Sequence, residues 1–307
     1  MQRRDHIDAI AATTVIALTA LWGIQQVAVK VGVAGGISPF QQAALRSVGA
    51  AICIWLWVLL RNGRVAALGL FRLGPAWRPA ALLSVCFALE FLLLFPGVRL
   101  TTASRGVLFL YTAPFFTALG AHLLIPAERL RARQFVGLLL AFAGVALAFG
   151  EGLVGGGGDL KGDVMCLAAG AIWGTLTVIV KASRALQQTP PAQVLFAQLT
   201  GSAPILIAAV LLFGEPIWPT GTAVAWSAVL YQTVIVATAS YLIWYGLLAR
   251  YPAGKLAGFT FLAPLFGILA GHFMLGEPVS ALLFAGLAAI AAGLRLVNSR
   301  PPERTPA

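Results

Sequence analysis

The sequence has few charged residues and very few cysteines and histidines. Only 10% of its 307 residues are charged and 60% are hydrophobic, which leaves too little polar surface to cover a water-soluble globule. Cys53, Cys86 and Cys166 all lie inside apolar stretches, so we expect buried thiols and no disulfide. His122 and His272 lie toward helix ends without a third ligand at metal spacing, and we expect neither a metal nor another cofactor.

The excess of basic residues does not indicate a nucleic-acid partner. The chain has 21 Lys and Arg against 10 Asp and Glu, but a nucleic-acid-binding protein carries such residues in a patch on a polar face. Here they lie in short connectors between apolar runs. The expected surroundings are therefore the lipid bilayer, with a small-molecule substrate and no nucleic acid.

The apolar runs predict an all-α integral membrane protein. A spanning helix needs roughly 20 apolar residues, and ten runs qualify: residues 9 to 29, 39 to 60, 80 to 98, 106 to 124, 133 to 149, 163 to 181, 191 to 213, 224 to 248, 255 to 275 and 279 to 296. The first run follows Arg3 and Arg4 as a signal peptide would, but it continues through Trp22 and Gly23 without a convincing cleavage site. We interpret it as the first membrane helix.

The connectors predict the orientation. Cytoplasmic loops carry the excess of Lys and Arg. With the N-terminus inside, sixteen of these residues fall on the cytoplasmic side and four on the other, namely Lys30, Arg99, Arg105 and Lys161. The chain is thus expected to be a multi-pass plasma-membrane protein with both termini in the cytoplasm. We expect it to act as a monomer or a homodimer.

An internal repeat divides the chain. Residues 151–162 include the four consecutive glycines 155–158 and form a predicted linker between a first unit, 1–150, and a second unit, 163–296, with 297–307 as a cytoplasmic tail. Matching residues recur across the linker at offsets of 149 to 151: Trp22-Gly23 and Trp173-Gly174, Lys30 and Lys181, Arg105 and Lys255, Ala113-Pro114 and Ala263-Pro264, His122 and His272, Glu128 and Glu277, Gly137 and Gly286, Gly144 and Gly293. Because each unit holds five helices, an odd number, the second enters the membrane from the opposite side. This predicts two inverted five-helix repeats around a central cavity, an arrangement typical of secondary transporters.

These motifs resemble the drug/metabolite transporter superfamily, in its ten-helix branch of two EamA-type units. The resemblance covers nearly the whole chain and includes Arg46, seven residues after Pro39, in addition to the repeated residues above. It implies an exporter of amino acids or other metabolites, and family members that export aromatic amino acids are the closest match in chemistry. The second half departs from the first in having Gln198 where its partner has Arg46.

Tryptophan lies near the midpoint of a helix in each half. Trp22 and Trp173 are far from the helix ends where lipid-anchoring tryptophans are found, and each is followed by a glycine that lets another backbone or a substrate approach closely. Gln26 and Thr177 come one turn later in each helix. Helix packing and a substrate-facing aromatic wall are the two alternatives for these tryptophans.

Two ionisable side chains are predicted at membrane depth. Glu90 is the acidic residue deepest inside a span, and Arg46 is the most deeply placed basic one. Such groups are costly unless paired or hydrated, which makes them candidates for function. Three alternatives stay open for Glu90: it binds the substrate, it carries a proton, or it makes a structural hydrogen bond. With Tyr111 and Tyr241 they complete a predicted substrate site that suits a small amphipathic solute, such as an amino acid with an aromatic part.

Other functions and other roles remain open at this stage. A multidrug or other metabolite carrier is the nearest alternative, while a lipid scramblase or a membrane enzyme is disfavoured because no acid/base cluster and no lipid-open groove is evident. Pro114 and Pro264 fall inside spans, where a fixed kink and a hinge for alternating access are the alternatives. Lys30 and Lys181 are expected to snorkel to an interface. Proton-coupled and facilitated transport are both compatible with the sequence.

Overall fold

The protein, described from a computed structural model that covers residues 7–101, 103–150, 159–276 and 281–298, is helical throughout that part of the chain. Eight helices are long and apolar enough to cross a membrane, and two shorter apolar helices complete the predicted ten. In chain order they are α1 (Ala9–Ala34), α2 (Pro39–Gly69), α3 (Gly74–Leu100), α4 (Arg105–Leu124), α5 (Ala132–Ala148), α6 (Leu160–Ala182), α7 (Pro191–Leu212), α8 (Ala223–Leu248), α9 (Ala253–Leu275) and α10 (Leu282–Asn298). The 17 residues of α5 and of α10 extend about 25 Å at about 1.5 Å per residue, near the lower length limit for a span.

Side-chain caps fix where several helices begin. Asp8 accepts a hydrogen bond from the Ala11 amide at 2.8 Å and so satisfies one of the free N–H groups at the start of α1. Ser38 and Gln41 form a capping box at the start of α2, with Pro39 in the first turn. Asp159 caps α6, which begins at Leu160. The predicted linker is therefore too long at its C-terminal end, and its residues 151–158 lie outside the described part.

Two helix ends also differ from the sequence prediction. α2 continues to Gly69 instead of ending near residue 60, and it bends at Gly63, whose φ of 82° is a left-handed value that glycine adopts without strain. The search for apolar runs missed the charged extension of α2 beyond Arg61, because this extension protrudes from the apolar region. α10 ends at Asn298 instead of 296.

Both α4 and α9 are interrupted, and this corrects the expected position of the two prolines. The first part of α4 ends at Leu110 and the helix resumes at Ala113, while a 3₁₀ turn at Thr260–Leu262 divides α9. Pro114 and Pro264 therefore lie in the first turn of a new helical segment, where the missing N–H has no intrahelical partner to lose. The prolines start helices rather than kinking continuous ones; a hinge at either break stays a prediction.

A π-helical stretch widens the middle of α8. It covers Gln232–Ser240, and the Thr238 hydroxyl donates to the carbonyl of Thr233, five residues earlier, at 2.8 Å. Wider turns of this kind are rare and are common at functional sites. The apolar pattern gave no indication of it, because a π-helical segment keeps the same composition as an α-helical one.

Pairs of glycines allow α5 and α10 to cross in contact. A Cβ atom added to Gly144 would lie 2.6 Å from the carbonyl oxygen of Gly286, and one added to Gly137 would lie 2.7 Å from that of Gly293. The two helices run antiparallel, since the earlier residue of one pairs with the later residue of the other. Close backbone approach of this kind is how helices associate without a hydrophobic driving force in lipid.

The helices of the two halves pack against each other in matching combinations. α1 contacts α8 and α9, and α6 contacts α3 and α4; α2 contacts α7 and α8, and α7 contacts α2 and α3. Each half thus supplies part of the surroundings of the other. The relation of the halves by inversion stays a prediction, but the packing places the first half of the chain and the second around the same centre.

Candidate functional site

A cavity of about 160 Å³ lies at this centre and is lined by residues of α1, α2, α3, α4, α6, α7 and α8. Its walls include every side chain predicted for the substrate site: Trp22, Gln26, Arg46, Glu90, Tyr111, Trp173, Thr177 and Tyr241. Those residues come from six helices and from both halves. The fold therefore brings all of them to one space.

Aromatic rings form two facing groups in this cavity. Trp22 makes edge-to-face contacts with Tyr241 and Trp244 at centroid distances of 6.3 and 5.3 Å. Trp173 makes the same kind of contact with Tyr111 at 5.4 Å. The break in α4 places Tyr111 at the end of a helical segment, and the π-helical stretch of α8 ends directly before Tyr241. Both helix irregularities therefore supply aromatic side chains to the site.

Trp22 is held in a fixed orientation. Its indole Nε1 donates a hydrogen bond to the Ser240 hydroxyl at 2.9 Å, and that hydroxyl donates in turn to the Val236 carbonyl at 2.6 Å. A buried indole N–H needs a partner, and the last residue of the π-helical stretch provides it. A ring locked in this way loses little conformational freedom when a ligand packs against it.

The glycine after each tryptophan serves helix packing rather than substrate approach. A Cβ on Gly23 would lie 2.5 Å from the Cβ of Phe266 in α9, and a Cβ on Gly174 would lie 2.5 Å from the carbonyl oxygen of Ala113 in α4. Both distances are far below van der Waals contact. Each residue of a Trp-Gly pair therefore corresponds to one of the two alternatives. The glycine packs against a neighbouring helix, and the tryptophan lines the cavity.

Arg46 and Glu90 both face this cavity without joining each other. They are 2% and 7% exposed, and no ion pair within 4 Å links them in the part of the chain that the structure describes. The guanidinium carbon of Arg46 lies 4.7 Å from the ring centroid of Phe91, at cation–π distance. Its Nε and Nη2 atoms make no hydrogen bond to a described residue. Two nitrogen atoms of this buried guanidinium are thus left without a hydrogen bond in the described part of the chain, which is a costly arrangement.

Several lining residues were missed at the sequence level. They are glutamines and aromatic side chains: Gln25, Gln42, Gln232, Phe87, Phe91, Phe95, Trp244 and Tyr245. The glutamines could have been predicted from the sequence, because an amide group inside a span is costly unless it is hydrogen-bonded, as other polar groups are. Gln42 and Gln232 are hydrogen-bonded to each other at 2.6 Å, joining α2 to α8. The aromatic residues gave no signal, since in a sequence they are indistinguishable from lipid-facing ones.

A polar network around Lys181 lies next to one end of the cavity. The ammonium group donates to the carbonyl oxygens of Leu248 and Tyr251, each at 2.6 Å, and lies 3.6 Å from the Glu128 carboxylate. Glu128 also accepts from the Ala253 amide at 2.7 Å. Lys181 is 2% exposed, so the snorkelling expected for it is wrong: the lysine points into the bundle, where carbonyls at helix ends and a carboxylate replace its hydration.

The network extends to the start of α1 and adjoins the cavity floor. The Tyr251 hydroxyl donates to the Asp8 carboxylate at 2.7 Å, which links α1 to the α8–α9 connection. Leu248 and Val180, next to the network in the chain, line the cavity. Lys30, the residue that matches Lys181 in the first half, is exposed. The two ends of the bundle therefore differ in this arrangement.

The two histidines of the described residues differ in their surroundings. His122 accepts a hydrogen bond from the Leu130 amide at 2.9 Å through Nδ1, which ties the α4–α5 connection, and His272 is exposed. Among the described residues, no three His, Cys, Asp or Glu side chains are grouped as a metal ion requires. Glu277, the repeat counterpart of Glu128, lies outside the described residues.

These features define a multi-pass α-helical membrane protein with a central, partly polar cavity. The sequence matches the model of the EamA-like transporter family twice, over residues 9–150 and 160–299. The chain therefore belongs to the EamA-like transporter family, within the drug/metabolite transporter superfamily, as its motifs predicted.

Named relatives match along nearly the whole chain. It is 28% identical over 304 residues to a "Probable amino-acid metabolite efflux pump" of Salmonella typhimurium, covering 96% of this chain and 94% of that protein. It is 27% identical over 289 residues to the "Uncharacterized transporter YvbV" of Bacillus subtilis, covering 92% and 90% respectively. A protein of known crystal structure shares the fold with a TM-score of 0.78 at 22% identity, over 94% of this chain and 96% of that one.

Proposed function

We propose that this protein exports small amphipathic metabolites, and amino acids including aromatic ones in particular, across the membrane by alternating access. The observation that carries the proposal is the central cavity, where aromatic rings from both halves surround two buried ionisable groups. Rings provide apolar contact area, and the polar groups fix the orientation of a ligand, which is the composition of a small-molecule site. The names of two relatives as amino-acid metabolite efflux pumps point the same way.

The cavity has the size for such a solute. An apolar cavity of about 150 Å³ in another protein accommodates a benzene molecule, and this one has about 160 Å³. The volume is therefore sufficient for a ring the size of a phenyl group. We expect the ring of the amino acid to contact the aromatic walls and its charged groups to contact the polar side chains of α2 and α3.

Unequal ends support alternating access. Lys181 is buried in a polar network next to one end of the cavity, whereas Lys30, at the matching position of the other half, is exposed. If the two halves exchange conformations around the cavity, the burial of the two lysines exchanges as well. In the orientation favoured by the basic connectors, the Lys181 end faces the cytoplasm of a bacterial cell, and both termini lie there.

The experiment is transport of radiolabelled phenylalanine in liposomes that contain the purified protein. We expect Trp22→Ala and Trp173→Ala each to raise KM at least fivefold, because each change removes an aromatic wall of the cavity, and one aromatic contact contributes about 1 kcal/mol. Trp77→Ala is the matched control. Trp77 is 57% exposed on the outside of α3, so its loss should leave KM unchanged.

The outcomes separate the candidate functions. Unchanged kinetics in both cavity variants would remove the tryptophans from the site. Movement of unrelated hydrophobic cations but not of amino acids would favour a multidrug carrier, and movement of fluorescent phospholipids between leaflets would favour a scramblase. Any of these results would overturn the proposal that amino acids are the substrates.

A further inference from the structure

The strongest unexplained feature of the cavity is the arginine of α2. Arg46 is 2% exposed, and its Nε and Nη2 atoms have no hydrogen-bonding partner among the residues that the structure describes. The face of the guanidinium is occupied by the Phe91 ring, at 4.7 Å. A guanidinium with a covered face donates through its edge, in the plane of the group.

Another arginine of the same chain shows what this edge binds. Arg105 donates from Nε to one carboxylate oxygen of Asp163, at 3.1 Å, and from Nη2 to the other. This two-point arrangement is the preferred geometry between arginine and a carboxylate. The same two nitrogens are the ones left without a partner in Arg46, so a carboxylate group is the ligand that fits them.

The matching position in the second half does not share this property. Gln198 stands where the repeat has Arg46 in the first half, and its side-chain oxygen accepts a hydrogen bond from the Tyr245 hydroxyl. The oxygen of Gln198 is therefore satisfied by the protein itself. A ligand that binds in the cavity finds one cationic receptor, on α2, and not two related by the repeat.

Glu90 supplies a carboxyl group in the same space. It lies on α3 directly before Phe91 and lines the cavity together with Arg46, without forming an ion pair with it. Tyr241 and Tyr111 line the same cavity. The acidic and the basic side chain thus share one space with the aromatic walls, as the two charged groups of an amino acid share one α-carbon with its side chain.

We infer that the cavity recognises its substrate as a zwitterion, with Arg46 binding the α-carboxylate, Glu90 binding the α-ammonium group and the aromatic walls holding the side chain. This inference rests on the proposed function and specifies how that site selects its substrate. A ligand with only an ammonium group brings a positive charge to Arg46 without neutralising it. A ligand with only a carboxylate brings a negative charge next to Glu90. Each of these two ligands therefore lacks one favourable ion pair and adds one repulsive contact.

The test is competition against radiolabelled phenylalanine in liposomes, with three analogues that each lack one charge: phenylalanine methyl ester, phenethylamine and 3-phenylpropionate. For the unaltered protein we expect each analogue to inhibit at least tenfold more weakly than phenylalanine. Arg46→Gln installs the residue found at the matching position of the second half. For this variant we expect the apparent affinity for phenylalanine to fall at least tenfold, while the apparent affinity for phenethylamine stays the same or rises. For Glu90→Gln the preference should shift toward 3-phenylpropionate.

Comparing ligands within one preparation removes the effect of poor folding, since a smaller amount of folded protein lowers all rates without changing the ratio between two ligands. Arg46→Lys should restore part of the preference for phenylalanine over phenethylamine. Arg61→Gln is the control, because Arg61 lies on the same helix and is exposed, and it should change no ratio.

Two results would overturn the inference. One is equal inhibition by phenylalanine, its methyl ester and phenethylamine in the unaltered protein, which needs no variant. The other is an Arg46→Gln protein that transports phenylalanine with unchanged selectivity. Failure of the proposed function is a different result, in which the unaltered protein transports no amino acid at all.

Discussion

The network around Lys181 is expected to close the neighbouring end of the cavity, and replacement of Lys181 by Met is expected to open it. The change removes the donor to the Leu248 and Tyr251 carbonyls and leaves the Glu128 carboxylate buried without its cation. Breaking a buried ion pair costs about 3–5 kcal/mol. The 3.6 Å separation and the second contact of Glu128, with the Ala253 amide, favour the lower limit. A cost of about 3 kcal/mol shifts the ratio of closed to open arrangements roughly 100-fold.

The assay is the rate at which a cysteine in the cavity floor reacts with a membrane-impermeant maleimide. Val180 lines the cavity one residue before Lys181, so Val180→Cys in a background without the native cysteines reports on access from that end. We expect the Lys181→Met change to speed labelling from the Lys181 side at least tenfold. Lys161→Met, which alters an exposed lysine of the same helix, should have no effect. Unchanged labelling after Lys181→Met, or equal acceleration by both changes, would refute the role of this network as a closure.

Three further predictions concern packing, coupling and motion. Gly144→Ala places a Cβ 2.6 Å from the Gly286 carbonyl and should destabilise the protein by about 2 kcal/mol in thermal unfolding, whereas Gly246→Ala, with nothing within 4 Å, should not. If Glu90 carries a proton, Glu90→Gln should abolish the response of phenylalanine transport to an imposed pH gradient; a response of undiminished size would exclude that role. If the breaks in α4 and α9 are hinges, Pro114→Ala should lower the maximal rate severalfold without changing KM, and an unaltered rate would leave only a structural role.

Some residues of the cavity could be predicted from the sequence because a membrane-spanning helix offers few positions for polar groups. Arg46, Glu90 and Gln26 stand out where lipid cannot satisfy them, and central tryptophans stand out because anchoring ones lie at helix ends. The internal repeat strengthened the prediction, because it placed matching residues at the same depth in both halves. Whether two such residues touch was beyond the sequence: Arg46 and Glu90 share the cavity without pairing.

What the sequence did not predict depends on tertiary contacts. The π-helical stretch of α8 and the breaks before Pro114 and Pro264 change hydrogen bonding without a distinctive composition. Lys181 was expected at an interface because its place near a helix end suits snorkelling. It is buried instead, because carbonyls from the α8–α9 connection and Glu128 from the α4–α5 connection converge on it. The local sequence around Lys181 contains no pattern that would indicate these tertiary contacts.

The most direct test of the central claim is entrance counterflow of radiolabelled phenylalanine. Liposomes containing the protein are loaded with unlabelled phenylalanine and diluted into a trace of labelled phenylalanine. An alternating-access carrier with an amino-acid site should accumulate the label transiently above its external concentration, and the Trp22→Ala protein should do so far less. No accumulation above that of protein-free liposomes, with the reconstituted protein folded, would contradict the account.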